Sequence, residues 1–291
     1  MALKKRRLSD KIFRSIGFAL MFLVAAIFVF AIVWMIFNSM RTPQDYRRDS
    51  FAIFDFKNFT LENYSTLFTM TVDTSVKQVG MFEMVGNTLI VTAGCILIGV
   101  SIPAITGYVV AKYNFFVKRV MDILAIVTMI IPTVGATIPL YKLIYSMGIM
   151  DTYMAIFIQY AGGFGFTYLL FRNFYSAIPI DYAEAAFLDG ASNMRVFLQV
   201  MLPQSIPIVI SVAIMQFIGV WNDYYTPYMF MEGNPTVAVG VNLIYQKYAV
   251  TKNNFPVAFT AMSFSAIVSL LIYACFSKTI MQSMSVGGLK G

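Results

Sequence analysis

Long runs of hydrophobic residues alternate along this chain with short segments that carry charge. Six runs have no charged residue and reach about 20 residues, the length at which a helix crosses the hydrocarbon core of a bilayer. They cover residues 16–37, 85–111, 123–141, 152–171, 202–222 and 253–277. In lipid a spanning segment must satisfy its own backbone hydrogen bonds, so helices are expected. The predicted fold is all-α, an integral membrane protein with six transmembrane helices.

The same pattern predicts how the whole chain is organised. A basic N-terminus (1–15) precedes the first span (16–37), which an external loop (38–84) follows. Further spans are predicted at 85–111, 123–145, 152–171, 205–224 and 255–277, with a polar loop at 179–204, an external loop at 225–254 and a tail at 278–291. One more charge-free run, 233–246, is too short to span a membrane and contains Gly233, Pro235 and Gly240. This favours an interfacial or protein-packed loop.

Several of the runs contain residues that bend or break helices. They are Pro103, Pro132, Pro139, Gly162, Gly163, Gly165 and Pro207. In membrane helices such residues predict kinks and close helix contacts, because neighbouring groups can satisfy the freed backbone. Many kinks together are typical of a protein that changes conformation.

Composition agrees with the membrane class and narrows the chemistry. Hydrophobic residues make up 59% of the chain and charged residues 12%, whereas soluble domains carry about 25% charge. Histidine, the commonest general base and metal ligand, does not occur in the sequence. The two cysteines, Cys95 and Cys275, lie in apolar runs without metal-ligand spacing. We therefore expect no catalytic residue, no metal site and no enzymatic activity.

The placement of lysine and arginine predicts the orientation in the membrane. A dense basic cluster precedes the first run, formed by Lys4, Lys5, Arg6, Arg7 and Lys11. Such clusters remain in the cytoplasm. Six spans then return the C-terminus to the cytoplasm. They also place the loop between the fourth and fifth runs on that side.

The loop between the fourth and fifth runs has the pattern of a helical hairpin. Asp181 and Glu184 match an N-terminal capping box, and Gly190 can end this helix in the left-handed conformation. Ser192 can cap a second helix, whose spacing predicts one apolar stripe of Met194, Phe197, Leu198 and Met201. From the residues alone, the hairpin is either a docking knob for another protein or an amphipathic loop packed on the protein's own spans.

Residues of this hairpin and of the fifth run match a known family. Glu184-Ala185-Ala186, Asp189-Gly190-Ala191, Phe197 and Leu202-Pro203 resemble the EAA loop of ABC importer permeases, with Val200 where isoleucine is usual. "GVWND" at 219–223 and the ending "SVGGLKG" are similar to the maltose-type (MalG-like) branch, whose permeases import carbohydrates. The chain as a whole resembles a binding-protein-dependent transport system inner membrane component, with its transmembrane domain at 85–282.

The resemblance implies a function and a set of partners. Such a permease forms half of a translocation pore in a bacterial cell membrane, as a pseudo-symmetric heterodimer with a second permease. Two ATP-binding subunits hold ATP and Mg²⁺, an extracytoplasmic solute-binding protein delivers the carbohydrate, and nucleic acid has no part. This chain has no GxxxxGK[ST] motif, so it is expected to bind no cofactor itself. Coupling to the ATPase is implied for Glu184, Ala185, Ala186, Asp189, Gly190, Ala191, Phe197, Leu202 and Pro203.

Other candidate residues keep two interpretations. A substrate path can be lined by polar and aromatic side chains in or near the spans: Gln159, Gln216, Trp221, Asn222, Asp223 and Tyr224. The glutamines can instead hydrogen-bond neighbouring helices, and Trp and Tyr also collect at membrane interfaces. In the outer loop, the resemblance implies contact with the binding protein for Glu232, Gly233, Asn234 and Pro235. The alternative there is a surface cap over spans five and six.

Two rival functions remain open for this sequence. One is an ABC permease for another polar solute. The motifs favour carbohydrate only by their resemblance to the family, because no side-chain chemistry in them identifies the solute. The other is a secondary carrier driven by ions. A carrier would need an ionisable residue in mid-membrane, and the six charge-free runs contain none.

Overall fold

A computed structural model describes residues 8–51, 58–131, 133–162 and 164–287. The chain divides into two compact units. The first contains the residues up to Met70 together with Ile244–Phe264, and the second contains Thr71–Leu243 together with the residues from Ser265.

The N-terminal part of the chain has one long helix followed by short elements. In chain order these are α1 (Leu8–Ser39), α2 (Pro43–Arg48), α3 (Glu62–Thr69), β1 (Thr71–Asp73) and β2 (Gln78–Gly80). The side chains of α1 are exposed along most of its apolar length, for example Phe18 and Phe28. A helix that is apolar all round needs lipid or protein to cover it. This agrees with its assignment as a membrane segment.

Tertiary hydrogen bonds close the C-terminal end of α1 within the first unit. The Asn63 side-chain amide donates to the carbonyls of Ser39 and Arg41, each at 2.8 Å, and Thr260 donates to Ser39 at 3.1 Å. The guanidinium of Arg41, 4% exposed, donates to the backbone carbonyls of Asp45 and Asp49. The last carbonyls of a helix have no intrahelical donor. Asn63 and Thr260 supply such donors at the end of α1, and Arg41 supplies them to α2 and the residue after it.

The two strands form an antiparallel hairpin at the start of the second unit. Val72 faces Val79 across the pair, and both side chains are buried. Thr74 closes the turn, since its backbone N–H donates to the Lys77 carbonyl at 3.0 Å. Buried side chains on one face keep the register of such a short pair.

The centre of the second unit is α4 (Met81–Lys112), which other helices surround. After it come α5 (Lys118–Ile130), a 3₁₀ turn (Thr133–Ala136), α6 (Thr137–Ser146), α7 (Tyr153–Tyr160) and α8 (Phe166–Ala177). Glycines on α4 allow close approach: a Cβ on Gly94 would lie 2.3 Å from the Phe157 ring, and one on Gly107 would lie 2.9 Å from the Arg172 backbone nitrogen. The packing of α7 and α8 on α4 therefore depends on these missing side chains.

The third and fourth predicted spans are not continuous helices. The helical segments in the third run are α5, the 3₁₀ turn and α6, and the break falls next to Pro132, which lies outside the described residues. The fourth run is divided into α7 and α8, with Gly165 at φ +101° between them. Only glycine adopts this conformation readily. Gly163 also lies outside the described residues. The predicted kinks at these breakers are thus complete interruptions.

The hairpin and the fifth run form the next group of elements. They are α9 (Asp181–Leu188), α10 (Asn193–Val196), a π-helix (Phe197–Met201), α11 (Leu202–Gln204) and α12 (Ile206–Asn222). The helical segments Asn193–Gln204 and Ile206–Asn222 meet at an angle of 75°. The fifth apolar run was predicted to start at residue 202. Its first residues belong to the helical segment before the bend, and its long helix begins only at Ile206.

The C-terminal part is helical, including a stretch that the sequence pattern assigned to a loop. It contains α13 (Tyr225–Phe230), α14 (Val237–Ile244), a π-helix (Tyr245–Thr251) and α15 (Phe255–Gly287). The loop prediction for 233–246 is wrong for α14. Val237 and Val239 are buried, and Gly240 leaves room for the Met84 sulfur. Tertiary burial here overrides the low helix propensity of the glycine.

Within the described residues, three helices are long and apolar enough to cross a membrane. They are Phe13–Ser39, Met81–Lys112 and Phe255–Lys278, and a fourth results if the bent pair Asn193–Gln204 and Ile206–Asn222 counts as one span. These correspond to the first, second, sixth and fifth apolar runs. The interrupted third and fourth runs do not reach the length on their own, so the count of six spans remains a prediction.

Candidate functional site

The hairpin between the fourth and fifth runs begins with α9, and this helix ends in a glycine turn. Gly190 has φ +78°. Its N–H donates to the Phe187 carbonyl, and the Ala191 N–H donates to the Ala186 carbonyl, both at 3.0 Å. These two bonds form a Schellman motif, which satisfies carbonyls at the helix end. The predicted role of Gly190 in ending the helix agrees with this geometry.

The predicted capping box at the start of α9 is wrong. The N-cap is Ile180, and no side chain caps this end. Asp181 is the first residue of the helix, and the backbone N–H of Glu184 donates to the Ile180 carbonyl at 3.1 Å. Because the helix begins one residue earlier than predicted, both carboxylates lie in the first turn. There they interact favourably with the helix dipole and remain exposed.

The second helix of the hairpin begins as predicted but changes its winding. The Ser192 hydroxyl caps it by accepting from the Arg195 N–H at 3.4 Å. From Phe197 to Met201 the helix is a π-helix, and the Leu202 N–H bonds the Phe197 carbonyl. Pro203 follows, and proline disfavours regular α-helical bonding to the preceding turn.

The predicted apolar stripe of the second helix is wrong in part. Phe197 and Met201 are buried as predicted, whereas Met194 is 66% and Leu198 50% exposed. Val196 is buried in their place. Met194 and Val196 lie in α10, before the π-helix begins at Phe197, so the face of α10 that packs inward is the one that carries Val196.

The base of the hairpin is fixed to the body of the second unit by an apolar cluster. Ala183, Val196, Phe197 and Met201 from the hairpin pack in one cluster with buried residues of α4, α8 and α12, namely Val100, Ala104, Tyr108, Phe171, Tyr175, Ile208 and Val212. Side-chain hydrogen bonds support this cluster at its edge. The Tyr175 and Ser205 hydroxyls lie 2.9 Å apart, Tyr113 donates to Asn193 at 3.1 Å, and Lys112 donates to the Ile178 carbonyl.

The opposite end of the hairpin projects from the unit. Its exposed residues include Glu184, Ala185, Asp189 and Gly190, and Leu188 is 89% exposed. Ala186 and Ala191 are partly buried against the cluster. Of the other predicted coupling residues, Leu202 is half-buried and Pro203 is exposed, while Phe197 belongs to the base. The predicted set therefore divides into an exposed tip and a buried base.

The outer-loop residues predicted to contact a binding protein form a tightly held turn. Asp151, which adopts φ +58°, accepts a 2.7 Å hydrogen bond from the Gly233 N–H through Oδ1. The Asp151 N–H donates to the Phe230 carbonyl at 2.9 Å. A Cβ on Gly233 would lie 2.3 Å from Asp151 Oδ2. A left-handed non-glycine residue is strained, and the surrounding bonds hold it in place.

Further polar contacts connect the same turn to α4 and to the β-hairpin. Asn87 donates to the Pro235 carbonyl at 3.1 Å and accepts from the Tyr153 hydroxyl at 2.7 Å. Lys77 donates to Asn234 Oδ1 at 3.3 Å and also pairs with Glu83. Within the turn, Gly233 and Pro235 are buried, Asn234 is half-buried, and Glu232 is exposed.

Most of the residues predicted for a substrate path make hydrogen bonds within the protein. The Gln159 amide donates to Ala155 in its own helix at 2.8 Å. Trp221 is 3% exposed, donates to the Ser265 carbonyl at 3.2 Å and stacks on Phe217. Asn222 donates to the Ile218 carbonyl, Asp223 accepts from the Thr226 N–H at 3.0 Å, and Tyr224 is half-exposed.

Gln216 is one predicted path residue that lines a pocket. This pocket has a volume of about 230 Å³ and is lined by Tyr160, Phe166, Thr167, Val212, Met215, Gln216, Gly219 and Val220. It lies beside the interruption between α7 and α8. The Gln216 amide is also 3.4 Å from the Gly99 carbonyl on α4, so the two interpretations of this glutamine, path and helix contact, are compatible.

An ion pair between α5 and α8 was not predicted from the sequence. Arg172 Nη2 lies 2.9 Å from Asp122 Oδ2, and the Tyr168 hydroxyl donates to Asp122 Oδ1 at 2.9 Å. Asp122 directly precedes the third charge-free run, and Arg172 directly follows the fourth. This position is the one feature of the sequence that could have indicated the pair. Their pairing depends on how two distant segments pack. Among the described residues, no group of three His, Cys, Asp or Glu could hold a metal ion.

Comparison with known proteins gives the family. Residues 99–285 match the family described as "Binding-protein-dependent transport system inner membrane component". The diacetylchitobiose uptake system permease protein NgcG of Streptomyces coelicolor is 27% identical over 96% of this chain and 90% of its own length. The arabinooligosaccharides transport system permease protein AraQ of Halalkalibacterium halodurans is 24% identical over 95% of each chain.

A solved structure of a bacterial ABC transporter involved in the import of the acidic polysaccharide alginate has the same fold. The superposition has a TM-score of 0.75 at 18% identity and covers 95% of this chain and 99% of the other. The family match covers more than half of the chain and includes the hairpin, the interrupted fourth run and the outer turn. The chain is therefore a member of the binding-protein-dependent transport system inner membrane component family, a group of membrane transport proteins.

Proposed function

We propose that this chain is the permease subunit of an ATP-driven, binding-protein-dependent carbohydrate importer and forms half of its translocation pore. The family membership supports a transport role. Relatives named for diacetylchitobiose and arabinooligosaccharide uptake, which align over nearly the whole chain, support a carbohydrate as the solute. A second permease completes the pore in this proposal, and two separate subunits bind and hydrolyse ATP with Mg²⁺.

The observation that carries the coupling part of the proposal is the division of the hairpin into tip and base. Glu184, Ala185 and Asp189 are exposed at the tip, where small and acidic side chains leave a surface that another protein can approach closely. The base is packed into the apolar cluster with α4 and α8. A rigid element with a free end and a packed base can transmit displacement from an ATPase to the spans.

The outer turn is proposed as the contact for the solute-binding protein. Glu232 is exposed on a turn whose neighbours Gly233 and Asn234 are held by Asp151 and Lys77. A preorganised surface loses little conformational entropy on binding, which favours affinity. In this arrangement Glu232 makes the contact and the buried residues Gly233 and Pro235 hold its position.

The pocket beside the interruption of the fourth run is the proposed substrate contact of this subunit. Tyr160, Thr167 and Gln216 bring an aromatic ring, a hydroxyl and an amide to its lining, and no charged side chain lines it. These groups suit a neutral polar solute such as a sugar. Non-helical backbone at membrane depth is tolerated where it lines a cavity, and the break between α7 and α8 fits this rule.

The proposed placement has six spans in the cell membrane with both termini in the cytoplasm. The basic N-terminal cluster supports this orientation. The hairpin then faces the cytoplasm, where the ATP-binding subunits are, and the outer turn faces the binding protein.

Co-purification tests the proposed function. The C-terminally tagged chain is isolated from membranes of its native host in mild detergent, and the accompanying proteins are identified by mass spectrometry. A Walker-A ATPase and a second multi-span permease are expected. A chain that purifies alone and catalyses ion-driven flux without ATP after reconstitution would replace the proposal with the secondary-carrier function.

A ligand screen distinguishes carbohydrates from a second candidate class of solutes, the non-sugar osmolytes. One relative, from Synechocystis, is named as an osmoprotective compounds uptake permease and is 27% identical over 72% of this chain. The binding protein that accompanies the complex is therefore tested by calorimetry against neutral oligosaccharides, uronic acid oligomers and small non-sugar osmolytes. Binding of an oligosaccharide supports the proposal, and exclusive binding of a non-sugar osmolyte contradicts the carbohydrate assignment.

A further inference from the structure

A charged cluster connects α5 to α8 close to the hairpin. Arg172 Nη2 contacts Asp122 Oδ2 at 2.9 Å, and the Tyr168 hydroxyl occupies the other carboxylate oxygen at 2.9 Å. The side chains of Arg172 and Asp122 are 30% and 23% exposed. The pair is therefore partly removed from water. Its interaction is less screened than that of a surface pair.

The contacts of α5 with the rest of its unit are otherwise few. Ala125 is its one buried residue, in a small cluster with Val110 and Tyr168. The outward side chains Leu124 and Ile130 are 50% and 74% exposed. Apolar contacts are not directional and permit a helix to slide or rotate, whereas the bonds to Asp122 have a preferred geometry. The polar cluster therefore sets the register of α5 on α8.

The other partner, α8, is fixed to the hairpin. Gly107 on α4 has no side chain, so the α8 backbone at Arg172 approaches it closely. Phe171 and Tyr175, on either side of Arg172 in the sequence, are fully buried in the cluster that contains the hairpin base. The Tyr175 hydroxyl also bonds Ser205 at the hairpin exit. Arg172 is thus carried on a helix that is packed against the hairpin base.

The ion pair itself is incompletely closed. Arg172 Nε is buried and has no hydrogen-bond partner among the described residues, and the contact with Asp122 is made by Nη2. A guanidinium can bind a carboxylate through two parallel N–H groups. A buried donor without a partner calls for a physical explanation. A second arrangement of α5 on α8, in which Nε also reaches Asp122, would provide that partner.

We propose that Asp122, Arg172 and Tyr168 form a positioning link that makes α5 follow the hairpin during the transport cycle, with a more closed arrangement in the other state. The inference rests on the proposed function in one respect, because it takes the hairpin as the element that the ATPase moves. The three residues act on the spans through α5. They need not touch the substrate.

Distance measurement between spin labels tests this link. Cysteines replace Leu124 on α5 and Met194 on the hairpin, both of which are at least half exposed, in a Cys275→Ser background. The complete importer complex is placed in nanodiscs, and pulsed EPR distances are recorded without nucleotide and after trapping with ATP and vanadate. With the link intact, one narrow distance distribution is expected in each state. In Arg172→Gln the trapped state is expected to broaden or to shift to a second distance.

Matched variants separate a positioning role from a structural one. Tyr168→Phe removes one bond and should give a smaller broadening, while Asp122→Glu and the exchange Asp122→Lys with Arg172→Glu should return a single narrow peak. Arg119→Gln removes an exposed charge from α5, the helix that carries Asp122. It should leave the distance distributions unchanged. ATP hydrolysis should persist in Arg172→Gln because the hairpin tip is untouched, while transport per ATP falls about five- to tenfold.

Three outcomes would overturn the link. The first is a narrow distribution in both states of Arg172→Gln. The second is loss of the assembled complex in every variant, the charge exchange included, which would make the pair a folding element. The third is broadening by Arg119→Gln equal to that by Arg172→Gln. If no ATPase co-purifies with the unaltered chain, the proposed function fails, whereas a broader nucleotide-free distance distribution in Arg172→Gln than in the unaltered chain would still show that the pair holds α5.

Discussion

The hairpin and the outer turn are held in place by opposite means. The hairpin base, with Phe197 and Met201, is buried in an apolar cluster, and its tip makes few contacts. The outer turn is bound through its own backbone: the Gly233 N–H and the Pro235 carbonyl are each hydrogen-bonded by side chains from distant segments. One element has a free end on a packed base. The other is fixed by hydrogen bonds at Gly233, Asn234 and Pro235.

The difference indicates what each region can do. The hairpin has a free tip on a base that packs against α8 and is hydrogen-bonded to it through Ser205 and Tyr175, so a displacement of the tip would be passed to the helices that hold the base. Hydrogen bonds weaken steeply away from good geometry, so the outer turn cannot move without losing them. The hairpin therefore suits a moving part, and the outer turn suits a stationary platform for a binding partner.

The largest effect is expected from a substitution that disrupts the glycine turn at the free end of the hairpin. Gly190→Pro is expected to abolish ATP-dependent uptake while the chain still inserts in the membrane, because proline fixes φ near −65° and Gly190 requires +78°. Uptake by whole cells and immunoblotting of membranes measure the two properties. Gly190→Asn is the control, since asparagine tolerates the left-handed conformation, and it should retain most uptake. Normal transport by Gly190→Pro would contradict the moving-part interpretation.

The next effect tests whether the hairpin tip contacts the ATPase. Glu184→Lys should stop uptake and reduce recovery of the ATPase with the tagged chain, because it reverses a charge on the exposed tip, which is the proposed docking surface. Glu184 caps no backbone group of α9, so the thermal stability of the purified chain should change little. Glu184→Gln tests charge alone and should have a weaker effect. A large loss of stability with the ATPase still bound would assign Glu184 a structural role.

A smaller effect tests the packing that supports the hairpin base. Gly107→Ala should lower the free energy of unfolding by about 1–3 kcal/mol, as overpacking does in other cores, because a Cβ there would be 2.9 Å from the Arg172 nitrogen. Thermal unfolding in detergent measures it. Gly86→Ala on the same helix meets no atom within 4 Å and should be neutral or stabilising. Equal effects at both positions would contradict the close-contact explanation.

The smallest effect concerns the outer turn. Asp151→Ala removes the acceptor of the Gly233 N–H and should weaken binding of the solute-binding protein about 5- to 15-fold, which corresponds to one hydrogen bond of about 1–1.5 kcal/mol. Surface plasmon resonance with the reconstituted complex measures the affinity. Asp151→Asn keeps an acceptor and tolerates the positive φ, so it should bind nearly as well. Unchanged affinity in Asp151→Ala would leave the turn without a role in docking.

Some features could be predicted from the sequence because short-range physics decides them. The uncharged runs indicate a helical membrane protein, since lipid leaves the backbone no other partners. Gly190 ends α9 and Ser192 begins α10 as predicted, because both roles depend on a few neighbouring backbone groups. The spacing of Glu184, Asp189 and Gly190 indicated the family for the same reason: the motif is contiguous.

Other features were decided only by the tertiary structure. The start of α9 at Asp181 and the helical state of Val237–Ile244 differ from the local pattern. In the second case the burial of Val237 and Val239 overrides local preference. The pairing of Asp122 with Arg172 joins segments 50 residues apart. The clamp of Asp151 on Gly233 joins segments 82 residues apart. Local pattern determines which residues can form a helix or a turn, whereas partners distant in sequence meet only after the helices have packed.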